Sequence, residues 1–179
     1  TLLQIEYIKV SQAEGHEPPY SKADIQECIK HVVDVNWGDK TDIAPDVKMT
    51  MENAGHILGS SSVYMQIGEG KSEHRLLFSG DIKYEKSWLF DAATVRFPKV
   101  DTLVIESTYG GPQSIQPTRH QASQELQDLV SDTLSRKGKI FCPVFAVGRS
   151  QEVMLAIDEL FKSGRVQPVT VWLDGMISE

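Results

Sequence analysis

Three side chains able to do metal or acid–base chemistry stand at the ends of apolar runs. They are His56 in Ala54-Gly55-His56-Ile57-Leu58-Gly59-Ser60, Asp81 in Phe78-Ser79-Gly80-Asp81, and Glu106 in Ile105-Glu106-Ser107-Thr108-Tyr109-Gly110. Strands that end together would bring the imidazole and both carboxylates to one sheet edge, the outline of a hydrolytic metal site. One loop histidine supplies too few nitrogen ligands for a catalytic zinc, so the outline is incomplete. Gly55 and Gly59 on either side of His56 let the backbone fold tightly around the ring. Asp81 follows Gly80, which leaves its carboxylate uncrowded, although Gly-Asp is also a common turn pair. Glu106 ends an apolar strand, where a carboxylate is costly to bury unless it is paired or close to a cation. Gly148-Arg149-Ser150 opens a helix and offers free N–H groups, the helix dipole and a guanidinium fork to a phosphate. A Ser150 N-cap with Arg149 in solvent is the ordinary alternative. Trp88 and Tyr109 either line a cleft or pack, and His16, His31, His74 and His120 read as solvated or capping residues.

The elements that must position these groups follow from hydrophobic period and punctuation. Leu2, Leu3, Ile5 and Ile8 share one face of a helix over residues 1–14, Pro18-Pro19 breaks it, and Ser21 caps a second helix through about Val33 with Ile25, Cys28, Ile29 and Val32 inward. From Val47 the period becomes two. Val47, Met49 and Met51, then Val63, Met65 and Ile67, then Arg75-Leu76-Leu77-Phe78 predict a β-meander whose loops carry His56 and Asp81. Thr102-Leu103-Val104-Ile105 reads as a strand buried on both faces. Thr118 and Gln121 form a capping box for a helix with Ala122, Leu126, Leu129, Val130 and Leu134 in one stripe, closing at Gly138. Strands over Lys139–Ala146 and Val169–Leu173 flank a helix with Val153, Met154, Ile157 and Leu160 inward, which predicts a right-handed βαβ unit in a parallel sheet.

A chain of 179 residues, 40% hydrophobic, is long enough for one sizeable core or two smaller lobes. No run of about 18 apolar residues and no signal-like opening occurs, so neither a membrane span nor a leader is expected. Cys28 and Cys142 lie far apart within apolar patterns, which predicts buried thiols and a cytoplasmic setting. A net charge of −7 argues against nucleic-acid binding by bulk electrostatics. It leaves room for a phosphodiester held by cations and a few local basic groups. The opening Thr1-Leu2-Leu3 and the closing Ile177-Ser178-Glu179 read as the ends of a piece of a longer protein.

Ala54-Gly55-His56-x-x-Gly59-Ser60, Phe78-Ser79-Gly80-Asp81, Glu106-Ser107-Thr108-Tyr109-Gly110 and Pro143-Val144-Phe145-Ala146-Val147-Gly148-Arg149, in that order, resemble the β-CASP branch of the metallo-β-lactamase superfamily. The likeness is greatest to archaeal homologues of the cleavage and polyadenylation specificity factor nuclease subunit. It extends to Tyr7-Ile8-Lys9-Val10, Pro18-Pro19-Tyr20-Ser21 and Thr41-Asp42-Ile43-Ala44-Pro45, and so to essentially the whole chain. The resemblance implies an α/β fold: part of an αββα metallo-β-lactamase domain over residues 1–111, then the start of a β-CASP domain with a parallel βαβ sheet over 112–179. It implies a two-zinc ribonuclease, endonucleolytic or 5′-to-3′ exonucleolytic, acting in RNA 3′-end processing or decay. His56 would be a zinc ligand, Asp81 the carboxylate bridging both ions, and Glu106 an acidic residue orienting an active-site histidine. A bridging oxygen donor suits two cations about 3.5 to 4 Å apart that activate a water and neutralise the attacked phosphate.

The family's His-x-His-x-Asp-His motif and its two later histidines are absent from this sequence, as are its N-terminal KH-type RNA-binding modules. This chain by itself is therefore expected to bind zinc weakly and to be inactive. RNA is the expected partner, with no membrane, and homodimerisation is a family expectation. A catalytically silent RNA-processing scaffold is the alternative of a different class. A small-molecule hydrolase of the same fold would share His56 and Asp81 but has no use for the Glu106 segment leading into a βαβ insertion.

Overall fold

A computed structural model describes residues 2–145 and 147–175. The chain divides into two compact units, one ending at Asn36 and the other beginning at Trp37. In the first, α1 (Leu2–Ala13) and α2 (Lys22–Lys30) are joined through Pro18-Pro19. The expected cap is present: the Ser21 N–H donates to Asp24 Oδ2 at 2.7 Å and the Asp24 N–H to Ser21 Oγ at 3.3 Å. Tyr7 and Tyr20 stack with centroids 5.9 Å apart. Ile8 and Ile25 are buried, whereas Leu3, Ile29 and Val32 are exposed, so the apolar stripes are narrower than the periodicity predicts. The helix stops at Lys30 rather than Val33, since the β-branched pair Val32-Val33 disfavours a further turn.

The second unit is built on a five-stranded sheet in the order β1-β2-β3-β4-β5. Its strands are β1 (Lys40–Ala44), β2 (Val47–Asn53), β3 (Ser61–Ile67), β4 (His74–Phe78) and β5 (Thr102–Val104). The first four form the predicted antiparallel meander, with β1 as an added edge strand. β5 pairs with β4 in parallel, Leu77 opposite Leu103. Directly opposed residues share a sheet face. The pairs Met51–Val63 and Val63–Phe78 therefore collect Met49, Met51, Val63, Met65, Leu76 and Phe78 on one face. That apolar face is not the buried one. Tyr64 and Leu77, opposite each other on the reverse face, are buried beneath the connection from β4 to β5. There the Tyr64 hydroxyl donates to the Lys99 carbonyl at 3.0 Å and the Ser62 hydroxyl to the Ser79 carbonyl at 2.8 Å. The alternation predicts the strands correctly, and the side that closes is the less apolar one.

Two helices follow, α3 (Arg119–Ser135) and α4 (Arg149–Lys162). Thr118 and Gln121 form the expected capping box. Lys137 takes a left-handed φ of 56° and Gly138 donates to the Thr133 carbonyl at 2.8 Å, which stops α3 where Gly138 predicts. On α4 the buried positions are Ser150, Glu152, Ala156 and Leu160. Three of these, Glu152, Ala156 and Leu160, recur every four residues, so the inward stripe is rotated from the predicted Val153, Met154 and Ile157.

Three expectations are corrected. Residues 139–145 and 169–173 form no strands, and Ala146 lies outside the described residues. A helix satisfies its own backbone, but a strand needs a partner, and neither stretch joins the described sheet. Among the described strands, the parallel pair is β4 with β5. β5 is shorter than predicted and Leu103, Val104 and Ile105 are exposed, because it is an edge strand rather than a doubly covered one. Cys28 and Cys142 are both exposed thiols, so burial gives no ground for assigning a compartment. No helix among the described residues is long and apolar enough to cross a membrane.

Candidate active site

The sheet register explains why distant residues meet. Asn53 at the end of β2 opposes Ser61 at the start of β3, and Val63 opposes Phe78 near the end of β4. The 54–60 loop and the segment leaving β4 therefore emerge at one edge. Because β5 runs parallel to β4, its exit joins them: the Ser79 N–H donates to the Val104 carbonyl at 2.9 Å. His56, Asp81 and Glu106 thus follow the exits of β2, β4 and β5 at one edge of the sheet.

The loop carrying His56 is tightly knit. The Asn53 carboxamide oxygen accepts the Gly55 N–H at 2.8 Å, and Ser60 Oγ accepts the N–H groups of His56 and Ile57 at 3.0 and 3.1 Å. Gly55, at a φ of +68°, lies against the β4–β5 connection: a Cβ there would fall 2.7 Å from the Lys83 carbonyl oxygen and 2.8 Å from the Ala93 nitrogen. The loop is fastened to that connection by the Lys83 N–H on the Ala54 carbonyl and the Thr94 N–H on the Asn53 carbonyl, each 2.8 Å.

His56 Nε2 approaches Asp81 Oδ2 at 3.9 Å, with the ring 37% and the carboxylate 74% exposed. Glu106 stands behind them. Its Oε1 accepts the Ile82 N–H at 2.7 Å, one residue past Asp81, while its own N–H donates to Ser79 Oγ at 3.1 Å. The Thr108 hydroxyl, then the Ile82 N–H, with a smaller contribution from His56, hold the Glu106 carboxyl below the usual glutamate range. Glu106 is therefore a carboxylate that braces the Asp81 turn.

An imidazole nitrogen and a carboxylate oxygen at this separation suit one flank of a zinc ion, whose bonds to such donors are about 2.0–2.2 Å long. They make up part of a donor set. No group of three or more His, Cys, Asp or Glu able to hold a metal occurs among the described residues.

The second candidate region also takes shape. Gly148, φ +83°, is the N-cap of α4, and its N–H donates to Gln151 Oε1 at 2.7 Å. Ser150 is buried inside the first turn, so the alternative of a Ser150 N-cap is not the one adopted. Arg149 does not lie free in solvent: its Nη1 reaches Glu152 Oε2 at 2.8 Å. Glu152 also accepts from Arg119 Nη2 at 3.4 Å and from the Trp88 N–H at 3.3 Å, and its side chain is 8% exposed. A Cβ on Gly148 would lie 3.7 Å from Ile57 Cγ2, so this helix start borders the His56 loop. Sequence reading passed over Lys83, Arg119 and Glu152. The available signal was an acid, Glu152, on the same four-residue repeat as Ala156 and Leu160. Tyr109 is exposed, and Trp88 enters through its backbone rather than its ring.

No family model matches the chain. Its whole length is similar to archaeal proteins named transcription termination factor FttA. Identity is 45% over 179 residues with the protein of Lokiarchaeum sp., 45% with that of Methanothermobacter thermautotrophicus and 46% with that of Methanocaldococcus jannaschii. Each match covers 100% of this chain and 28% of the relative, so the chain spans little more than a quarter of these relatives' length. The likeness supports the archaeal relationship drawn from the motifs.

Proposed function

We propose that this chain forms one wall of a zinc-dependent ribonuclease centre in an archaeal protein that cleaves RNA at transcription termination, an RNA 3′-end event in the cytoplasm. The observation that carries the reading is the approach of His56 to Asp81 at the exits of β2 and β4, braced by Glu106 from β5. The relatives' name supplies the process. In this reading His56 and Asp81 would hold the metal. When bound, the zinc pair supplies Lewis acidity and charge neutralisation at the attacked phosphodiester. Glu106 keeps the Asp81 carboxylate aimed outward by holding the Ile82 N–H, as hydrogen-bonding partners of metal ligands do. Gly148, Arg149 and Ser150 would contact the RNA backbone, Arg149 through the guanidinium donors it does not use on Glu152.

Residues 1–111 belong in this reading to a metallo-β-lactamase domain and 112–179 to the opening of a β-CASP domain, and the whole protein pairs as a homodimer. The remaining zinc ligands come from parts of the protein outside this chain. The test is Asp81→Ala in the full-length protein with labelled single-stranded RNA and zinc. Cleavage falls by at least about 100-fold if Asp81 holds metal, whereas undiminished cleavage overturns the assignment. A catalytically silent scaffold is the second reading, against which the presence of His56, Asp81 and Glu106 weighs. It predicts RNA binding that survives Asp81→Ala, with no cleavage by either form.

A further inference from the structure

The chain carries a net charge of −7, yet beside the His56 loop two guanidiniums pair with one buried carboxylate and a lysine stands on the adjoining connection. Glu152, on α4, takes one N–H from Arg149 on its own helix and one from Arg119 on α3. Lys83 comes from the β4–β5 connection, two residues past Asp81. Its N–H is fastened to the Ala54 carbonyl of the His56 loop at 2.8 Å, and its side chain forms no ion pair within 4.0 Å among the described residues. One carboxylate cannot neutralise both guanidiniums. Each guanidinium has five N–H donors and uses one of them on Glu152, and both arginine side chains remain partly exposed, at 35% and 47%. Two anchored forks and a half-buried ammonium therefore present spare positive charge next to the Asp81 turn, in a geometry suited to a phosphodiester oxygen.

We propose that Lys83, Arg119 and Arg149 form a phosphate-binding subsite for the backbone of single-stranded RNA, held by Glu152 and placed beside the His56–Asp81 edge. The proposal deepens the ribonuclease reading and rests on it for the identity of the polyanion. It explains how an acidic chain engages RNA: the basic groups are few and concentrated at one place. Phosphate contacts of this kind set register and carry no base preference.

The test uses full-length protein carrying Asp81→Ala, with chelator present so that neither cleavage nor metal contributes. Binding of a labelled single-stranded RNA is followed across a salt series. For single strands the slope of log K against log salt falls by about 0.7 for each phosphate contact removed. Lys83→Gln and Arg119→Gln are each expected to flatten the slope by about that amount and to weaken all RNA sequences equally. Lys83→Arg, which keeps the charge, retains the parental slope. Both Gln variants keeping the parental slope would show the cluster to be an internal ion-pair network and overturn the subsite while leaving the ribonuclease reading intact. A parent protein that binds no RNA overturns both. Matched single-stranded DNA should show the same change in slope, and a change seen with DNA alone overturns the RNA assignment. Should Lys83→Gln not fold, Arg119→Gln decides the question by the same slope.

Discussion

Asp81 is three-quarters exposed, and its position comes from its neighbours rather than from packing of its own side chain. Glu106 holds the next N–H, and Gly80 turns at a φ of +59° where a Cβ would press to 3.2 Å from the Ser61 carbonyl. Glu106→Gln keeps the size of the side chain and weakens the hold on Ile82. In the full-length protein it is expected to cost about 10–100-fold in zinc affinity or cleavage, the usual scale for a partner that orients a ligand. Parental values for both would remove Glu106 from the site. Gly55 is the other critical residue. Gly55→Ala meets backbone atoms at 2.7–2.8 Å that no rotamer change can clear, and it also demands a left-handed backbone that itself costs of order 1–3 kcal/mol. Urea unfolding should report a loss at the upper end of that range, together with displacement of the His56 loop. An unaltered midpoint would mean that the 54–60 loop is not fastened as described.

The strand exits that gather His56, Asp81 and Glu106 were legible in the sequence because each chemical residue directly follows an alternating or apolar run, and the capped starts of α2 and α3 were legible from Ser21 and Thr118. Less was legible where partners decide the outcome. Residues 139–145 have strand composition but do not join the described sheet, and the closed face of the meander was set by the β4–β5 connection rather than by the more apolar side. The Glu152 cluster was hidden for the same reason, since Arg119, Arg149 and Lys83 come from α3, α4 and that connection. In the folded chain, burial raises the Glu152 carboxyl, but the Ser87 hydroxyl, Arg149, Arg119 and Lys83 outweigh it and hold it below the usual range. A depressed pKa means that the carboxylate's stabilising contribution is complete above the ordinary glutamate range, about 4.3, and is lost as pH falls through the lower folded value. Glu152→Gln is therefore expected to cost roughly 1–3 kcal/mol near neutral pH and to flatten the acid limb of stability. Trp fluorescence during urea unfolding measures both, and an acid limb as steep as the parent's would contradict the ion-pair account.

At the scale of the molecule, one sheet face presents Met49, Met51, Val63, Met65, Leu76 and Phe78 incompletely covered, with Phe78 about half exposed. Contiguous apolar surface of this kind drives association. The 179-residue chain expressed alone is expected to show a sedimentation coefficient that rises with concentration, and a constant monomer value would contradict an open face. The same chain should bind zinc weakly, because His56 and Asp81 supply part of a ligand set and a zinc site needs at least three protein donors. The central claim is that these two residues belong to a metal centre completed by other parts of a longer protein. Its most direct measurement is the zinc content of the purified full-length protein beside its His56→Ala form, read by elemental analysis after dialysis against metal-free buffer. The account predicts two zinc ions per parent chain and a clear loss on His56→Ala with the fold retained; a parent without zinc, or an unchanged content in the variant, would contradict it.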